Sequence, residues 1–193
     1  AQEEALSKGI TSFQDAGSSF EEIDVFKEMA EDGSLDIRLW VMVRESVAEL
    51  TEHLAAYKMI GVGEDRLTVR AIKMAIDGAL GSHGAWLLEP YSDLPESAGL
   101  NTSDLEDAAA TAELAIEHEY QFAMHAIGDR GNRETLDIFQ WAFTNNPEEE
   151  DLRWRVEHAQ HLHPDDIPRF GDMQVIASMQ GVHATSDGPW ISD

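Results

Sequence analysis

Three side chains that could bind a metal or act as a nucleophile lie at or near the carboxyl ends of apolar runs in this sequence. His125 ends the run QFAMH, His158 follows RWRVE, and Lys73 lies inside VRAIKMAID. Imidazole nitrogens are preferred ligands of Zn²⁺ and related divalent ions. A lysine amine in a low-dielectric interior can act as a nucleophile, or it can react with CO₂ to give a carbamate that bridges metal ions. The three residues predict a metal site or a lysine-based site, provided that the segments carrying them converge.

Lys73 lies on the slimmer face of a predicted strand. Because side chains alternate along a strand, one face carries bulky groups that suit contact with helices. The opposite face carries Val69, Ala71, Lys73 and Ala75. A bare ammonium is costly to bury, so three explanations stay open: an ion pair with a carboxylate such as Asp77, a Schiff-base nucleophile, and a metal-bridging carbamate. Taken alone, the residues favour the ion pair.

The two histidines differ in how they fit the alternation of their strands. His125 alternates with small and polar residues, so it is predicted to point into the same interior as Lys73. Strict alternation groups His158 with Trp154, so His158 reaches that interior only if its strand twists or bulges at the end. Glu157 is the alternative inward group on that strand.

Short apolar strands alternate with helical stretches along the whole chain, which is typical of parallel βα units. The predicted strands cover residues 9–15, 35–43, 67–77, 120–128, 152–159 and 173–180. The predicted helices follow N-capping serines, which are Ser18 or Ser19, Ser46 and Ser103. A further short helix is predicted to open at Pro164 and to run through about Phe170. The run 78–102 is too long for an ordinary βα connection, and a long connection of this kind predicts a functional role.

Successive βα units fit either an open doubly wound sheet or a (β/α)₈ TIM barrel. Since no Gly-rich dinucleotide-binding fingerprint follows the first strand, the sequence favours the barrel. A complete barrel has eight strands and about 250 residues. We therefore expect residues 1–193 to form a single incomplete α/β barrel domain of about six parallel strands, cut from a longer protein. Catalytic groups of a barrel stand at the carboxyl ends of its strands, where Lys73, His125 and His158 would meet.

The composition excludes several classes of protein. The chain has 38 Asp and Glu residues against 13 Lys and Arg residues, a net charge of -25, which makes nucleic acid an unfavourable partner. The carboxylates are spread along the chain, which favours a solvated surface adapted to a high-salt cytoplasm over an acidic face for a basic partner. The absence of cysteine means that nitrogen and oxygen ligands must hold any metal. No stretch approaches the roughly 20 apolar residues of a membrane span.

Four blocks of sequence occur in an order that is specific to one group of proteins. They are VRAIKMAIDGALGSHGAWLLEPYSD, MHAIGDRGN, RWRVEHAQHLHPDDIPRF and IASMQGVHATSDGPW. The chain resembles the metal-dependent amidohydrolase superfamily and, within it, the branch of amidohydrolase family 3 that includes N-substituted formamide deformylases. The resemblance covers nearly the whole chain and implies strands two to seven of the family's barrel, with the first and eighth strands missing.

The resemblance also implies roles for individual residues. Lys73 is similar to the family's carboxylated lysine, and His125 and His158 to the metal ligands that end its fifth and sixth strands. One or two Zn²⁺ or similar divalent ions are implied. His183 matches a histidine near the substrate pocket. Asp77 matches an Asp-Gly pair at the end of the lysine strand, where it would contact substrate, orient Lys73 or cap the loop.

The sequence departs from the family pattern in several places. The family has a His-x-His pair on its first strand and a metal-binding Asp on its eighth, and we expect this general-base Asp beyond residue 193. The only His-x-His of this chain, His161 to His163, follows the sixth strand and is predicted to be solvated or capping. Gly181 replaces an expected proline, and His83 lies where relatives often carry arginine, so a different substrate pocket is expected.

These features predict a fragment of a metal-dependent hydrolase that acts on an amide or formamide C–N bond of a small molecule. The fragment alone is expected to be inactive and to bind metal weakly, if at all, because it lacks part of the ligand set. One alternative is a non-catalytic regulatory or binding protein of the exoenzyme-regulator type on the same scaffold. Another is an aldolase with Lys73 as its Schiff-base amine. The two open sheet edges of an incomplete barrel also predict either a homo-oligomer or loops that shield the edges.

Overall fold

A computed structural model describes residues 1–190 of the chain. The strands are β1 (Ser12–Ser18), β2 (Arg38–Val43), β3 (Met59–Gly61), β4 (Leu67–Ala75), β5 (Gln121–Ala126), β6 (Arg155–His158) and β7 (Ile176–Ser178). The helices are α1 (Gln2–Ser7), α2 (Phe20–Asp32), α3 (Val47–Tyr57), the single turn α4 (Val62–Asp65), α5 (Leu105–Glu117), α6 (Asp129–Asn145), α7 (Ile167–Asp172) and α8 (Val182–Ser186). Short 3₁₀ turns cover Leu80–Ser82 and Gly188–Trp190.

Six parallel strands form one sheet in the order β1-β2-β4-β5-β6-β7. The sheet curls into part of a barrel, which confirms the predicted partial barrel. All six predicted strands are present, and their ends differ from prediction by three residues or fewer. No helix within residues 1–190 combines the length and apolar character that crossing a membrane requires.

The main core lies between the sheet and the helices. Aromatic rings build its centre, where Phe139 packs against Trp154 with 4.9 Å between ring centroids and Phe122 against Trp154 with 5.6 Å. A second, small cluster of Met42, Ala71 and Ala123 lies apart from this core. The small side chains of the inner face leave room there for polar groups.

Two helix starts match the capping prediction. Ser19 accepts a hydrogen bond from the Glu22 backbone N–H and forms a capping box with the Glu22 side chain. Ser46 caps α3 in the same way through the backbone N–H of Glu49. These caps satisfy backbone donors that the first turn of a helix leaves unpaired.

Two other predicted helix starts are wrong. Asp104, not Ser103, caps α5, because the Ser103 hydroxyl instead donates to the Ala75 carbonyl at 2.6 Å. Residues 164–166 form a turn, and α7 begins only at Ile167 with a proline in its first turn. The Asp166 carboxylate there joins Arg133 and Arg169 in ion pairs that hold the turn.

The sequence pattern missed a strand and misplaced one side chain. β3 adds to β4 in antiparallel fashion and contains three residues. The register of β2 against β4 shifts between the pairs Val41–Val69 and Met42–Ala71. Because one residue is skipped there, Val69 joins the helix-side core while Ala71 remains on the inner face. The prediction that Val69 shares a face with Lys73 is therefore wrong.

Candidate functional site

The structure brings the predicted histidines together at the carboxyl ends of β5 and β6. The rings of His125 and His158 meet edge to face, with 4.5 Å between centroids and 73° between planes. His183, in α8, extends the row with its ring 5.5 Å from that of His158. Three imidazoles thus stand side by side at one end of the sheet.

His158 reaches this row through an unusual backbone conformation. Its φ is +78° and that of Ala159 is +43°, values in the left-handed region that cost non-glycine residues about 1–2 kcal/mol each. The preceding residue, Glu157, faces inward as alternation predicts and pairs with Arg155 at 2.5 Å. The turn at the strand end therefore lets two consecutive side chains, Glu157 and His158, both point to the inner side of the sheet.

Gln180 fixes which nitrogen of His158 carries the proton. The Gln180 amide nitrogen donates to the Ser178 carbonyl at 3.0 Å, so its oxygen faces His158 Nδ1 at 2.7 Å. Nδ1 must then be the donor, and Nε2 keeps its lone pair free. Burial lowers the pKa of His158, and the neighbouring positive groups lower it further while the Gln180 contact opposes them. The ring is thus held in the neutral form that a metal binds.

Asp77 stands behind His125 and is shielded from solvent. Its carboxylate accepts hydrogen bonds from the backbone N–H groups of Ile127 at 3.0 Å, Gly128 at 2.7 Å and Trp86 at 2.9 Å. Oδ1 lies 3.4 Å from His125 Nε2, close enough for attraction, although the geometry forms no hydrogen bond and Nε2 is buried without a partner among residues 1–190. This contact favours the proton on Nε2 and leaves the Nδ1 lone pair available.

Lys73 is partly buried on the inner face of the sheet, where its neighbour in β5 is Ala123. Its amine donates to the Met74 carbonyl at 3.0 Å. Burial lowers the pKa of Lys73 to about 8, with Glu157 opposing and Arg44 and Arg155 adding to the shift. Within residues 1–190, Lys73 forms no ion pair with Asp77. The carboxylate that acts on the charge of Lys73 is instead that of Glu157.

The described residues supply only part of a metal-ligand set. No group of three His, Cys, Asp or Glu side chains in residues 1–190 is arranged to hold a metal ion. Two imidazoles with free lone pairs and one lysine of lowered pKa fit part of a nitrogen and oxygen site. A complete site needs ligands from outside these residues.

The other histidines that the sequence singled out have different partners. His183 Nδ1 contacts the Asp187 carboxylate at 3.2 Å, and the Gln160 amide donates to the same carboxylate at 2.6 Å. His163 accepts a hydrogen bond from the Asp165 backbone N–H at 3.3 Å. In contrast, His161 Nε2 is buried without a hydrogen-bond partner among the described residues.

The sequence did not predict the role of Gln180, nor that Arg155 and Glu157 form an inward-facing ion pair. Gln180 lies just after a short strand, and a polar residue at a strand end was the available signal. Arg155 is buried and its guanidinium also approaches Met42 Sδ at 3.8 Å. Two charges alternating within one strand could have predicted this pair.

The chain is similar to known proteins of one family. The amidohydrolase family matches residues 1–193. The chain is 30% identical over 168 residues to the putative amidohydrolase YtcJ of Bacillus subtilis, covering 87% of this chain and 30% of YtcJ. It is 39% identical over 121 residues to the protein LONG AFTER FAR-RED 3 of Arabidopsis thaliana, covering 63% of this chain and 21% of that protein.

A solved structure shares the fold. The crystal structure of an uncharacterized metal-dependent hydrolase from Pyrococcus furiosus superposes with a TM-score of 0.81 and 28% identity, covering 98% of this chain and 38% of that one. The chain spans only 21% to 30% of the length of the curated relatives it matches. From the family match over its full length, the chain belongs to the amidohydrolase family.

Proposed function

We propose that a longer protein containing this chain hydrolyses a C–N bond in a small amide, and more specifically a formamide as in the N-substituted formamide deformylase branch. The observation that carries the proposal is the pairing of His125 and His158, whose rings meet at 4.5 Å with one lone pair free on each. Such convergence at strand ends is where a barrel builds its active site.

His125, His158 and Lys73 would hold one or two divalent ions, of which Zn²⁺ suits imidazole and oxygen ligands. A bound ion of this kind supplies a water of lowered pKa and polarises a carbonyl. The other ligands and the general-base Asp would come from parts of the longer protein. The 193-residue chain alone is accordingly proposed to be inactive.

The residues of this chain have definable tasks in that site. Asp77 holds the His125 ring from behind, and Gln180 holds the His158 ring from the side. A pKa of about 8 leaves part of Lys73 as the neutral amine at neutral pH. That form can attack CO₂, forming a C–N bond and releasing a proton to give the carbamate. His183 would contact substrate next to the metal ligands.

Metal analysis and hydrolysis of a panel of amides and formamides by the full-length protein test the proposal. We expect stoichiometric metal and measurable hydrolysis in the wild type, with both strongly reduced in Lys73→Ala. A metal-loaded protein that hydrolyses no member of a broad panel would contradict the hydrolase and favour the regulatory alternative. Trapping of a carbonyl compound on Lys73 by borohydride would instead favour the aldolase.

A further inference from the structure

A cavity separate from the imidazole row lies under the long connection after β4. Its volume is about 650 Å³, within the range of about 300–1,000 Å³ that is usual for small-molecule sites. Leu80, Leu87, Pro90 and Tyr91 provide apolar walls, and His161 lines the cavity from the loop that follows β6. The cavity can hold a ring or a short hydrocarbon chain.

The walls of this cavity are fixed by internal contacts of the connection. The Leu87 N–H donates to the Ala98 carbonyl at 2.7 Å, and the Tyr91 N–H donates to Ser97 at 2.9 Å. The Tyr91 hydroxyl donates to the Ala85 carbonyl at 2.9 Å and is buried with it. A cavity formed in advance loses little conformational entropy when it binds a ligand.

Its polar groups include the Asp93 carboxylate and the His83 ring, which can accept hydrogen bonds. The His83 Nε2 lies 2.9 Å from the Asp93 carboxylate, and the His83 ring stands edge-on to Tyr91 at 4.8 Å. His83 adopts φ +54°, the left-handed conformation that ends the short 3₁₀ turn Leu80–Ser82. The hydrogen bond from His83 lowers the pKa of Asp93, which stays ionised. Because a carboxylate can only accept, His83 Nε2 donates to Asp93, and in the neutral imidazole Nδ1 is a second acceptor.

The charge of the cavity favours one class of ligand. Of its lining residues within the described part of the chain, none is Lys or Arg, and Asp93 has an exposed carboxylate at the rim. The whole chain carries a net charge of -25, which attracts cations and repels anions at long range. A cationic head group therefore finds both a local partner and a favourable field.

We propose that this cavity binds an apolar ring or chain that ends in an ammonium group, with Asp93 and His83 accepting its N–H donors. His161, which lines the cavity, lies three residues beyond His158, so one short loop connects the cavity to the end of β6. The bound group would be the substituent of the amide substrate. That assignment to the substrate rests on the proposed function, whereas binding to the cavity does not.

A matched set of small probes tests the proposal on the 193-residue chain. Cyclohexylamine, cyclohexanol and cyclohexanecarboxylate share one ring and differ in head group, and their dissociation constants can be measured by ligand-observed NMR at low salt. We expect the amine to bind at least threefold more tightly than the alcohol, and the carboxylate to bind most weakly. Asp93→Asn should weaken amine binding by about threefold and leave the alcohol unchanged.

Glu31→Gln is the matched control, because it removes one exposed charge near the end of α2 that is remote from the carboxyl ends of the strands. It should leave amine binding unchanged. Absent amine binding, equal binding of the three probes, or an amine affinity that Asp93→Asn does not change would overturn the proposal. If amine binding is confirmed but the full-length protein has neither metal nor hydrolysis, the proposed function is wrong. The proposal that the cavity binds an apolar ammonium compound is then still supported. Hydrolysis by the full-length protein without amine binding would support the proposed function and overturn the cavity proposal.

Discussion

At the scale of single residues, the two imidazoles are held by different partners, and this difference sets which nitrogen each leaves free. Asp77 faces Nε2 of His125 and Gln180 faces Nδ1 of His158. Each partner is itself anchored, Asp77 by three backbone N–H groups and Gln180 by Ser178. Such anchoring would orient both rings before the proposed metal binds.

Asp77→Asn is expected to lower the free energy of unfolding by about 2 kcal/mol or more. The amide replaces one acceptor oxygen with a donor, which then faces either the N–H of Ile127 or the N–H groups of Gly128 and Trp86. Urea denaturation of the purified chain measures the change. Asp172→Asn, an exposed residue in α7, is the control and should not move the midpoint; an equally small effect at Asp77 would contradict the anchoring role.

Lys73→Met is expected to stabilise the fold at pH 7 by about 1–2 kcal/mol, because it removes a charge that burial disfavours. The pKa of Lys73 is about 8 in the fold against 10.5 as its ordinary value. Below pH 8 the lysine is protonated in both folded and unfolded chains, so the burial penalty is fully present. Between about pH 8 and 10.5 only the folded chain loses the proton, and the penalty shrinks.

Urea denaturation in CO₂-free buffer at pH 7 and pH 9.5 should therefore show the advantage of Lys73→Met shrinking as pH rises. Lys8→Met, whose amine is exposed in α1, serves as the control and should show no comparable trend. A Lys73→Met variant that is less stable than wild type at pH 7 would show that burial does not disfavour this ammonium.

At the scale of secondary-structure elements, the site depends on how the connection after β4 packs against the start of α6. Gly128 lies so close to the connection that an added Cβ would stand 2.0 Å from the Trp86 carbonyl oxygen. The Leu88 N–H donates to Asp129, the first residue of α6, and Arg130 stacks over the Trp86 ring at 5.1 Å. These contacts hold the connection after β4 against the first turn of α6.

Gly128→Ala is expected to cost about 2–3 kcal/mol of folding free energy, because neither backbone segment can move without breaking these contacts. Gly171→Ala provides the contrast, since a Cβ at that helical position would meet nothing within 4 Å. Replacing that glycine should stabilise α7 by about 0.5–1 kcal/mol. Thermal unfolding of both variants measures the difference, and similar melting temperatures would exclude close packing at Gly128.

The sequence predicted which elements exist better than where single side chains point. Alternation and capping serines identified six strands and two helix starts, because burial and unpaired N–H groups act locally. The register shift at β4 reversed Val69, and positive φ at His158 brought that ring inward. Both depend on tertiary packing, which no local pattern encodes. The inward direction of Lys73 and the proximity of His125 to His158 agree with the prediction.

At the scale of the whole molecule, the partial barrel combines two open sheet edges with a strongly acidic surface. β1 and β7 end the sheet, and large apolar side chains are exposed near them, Phe13 at 51% and Met179 at 64%. Self-association through these edges stays a prediction, as does a high-salt cytoplasm as the location. Because the net charge is -25, repulsion among the carboxylates should lower the stability of the fold at low salt.

Raising KCl from 0.1 M to 2 M is expected to raise the melting temperature, because salt screens repulsion among the carboxylates. Replacing the exposed residues Glu28, Glu31 and Glu113 by Gln should make this dependence on salt shallower. Differential scanning calorimetry measures both effects. A melting temperature that is independent of KCl would contradict adaptation to concentrated salt.

The most direct test of the shared metal site is a Zn²⁺ titration of the full-length protein, followed through the ¹⁵N resonances of its labelled histidine rings. We expect His125 and His158 to shift together with one dissociation constant, with Nδ1 of His125 and Nε2 of His158 as the affected atoms. Binding should weaken in Lys73→Ala, while His53 and His118 on the outer helices report nonspecific binding in the same spectra. If the metal shifts only those outer histidines, or His125 and His158 respond independently, the shared metal site does not exist.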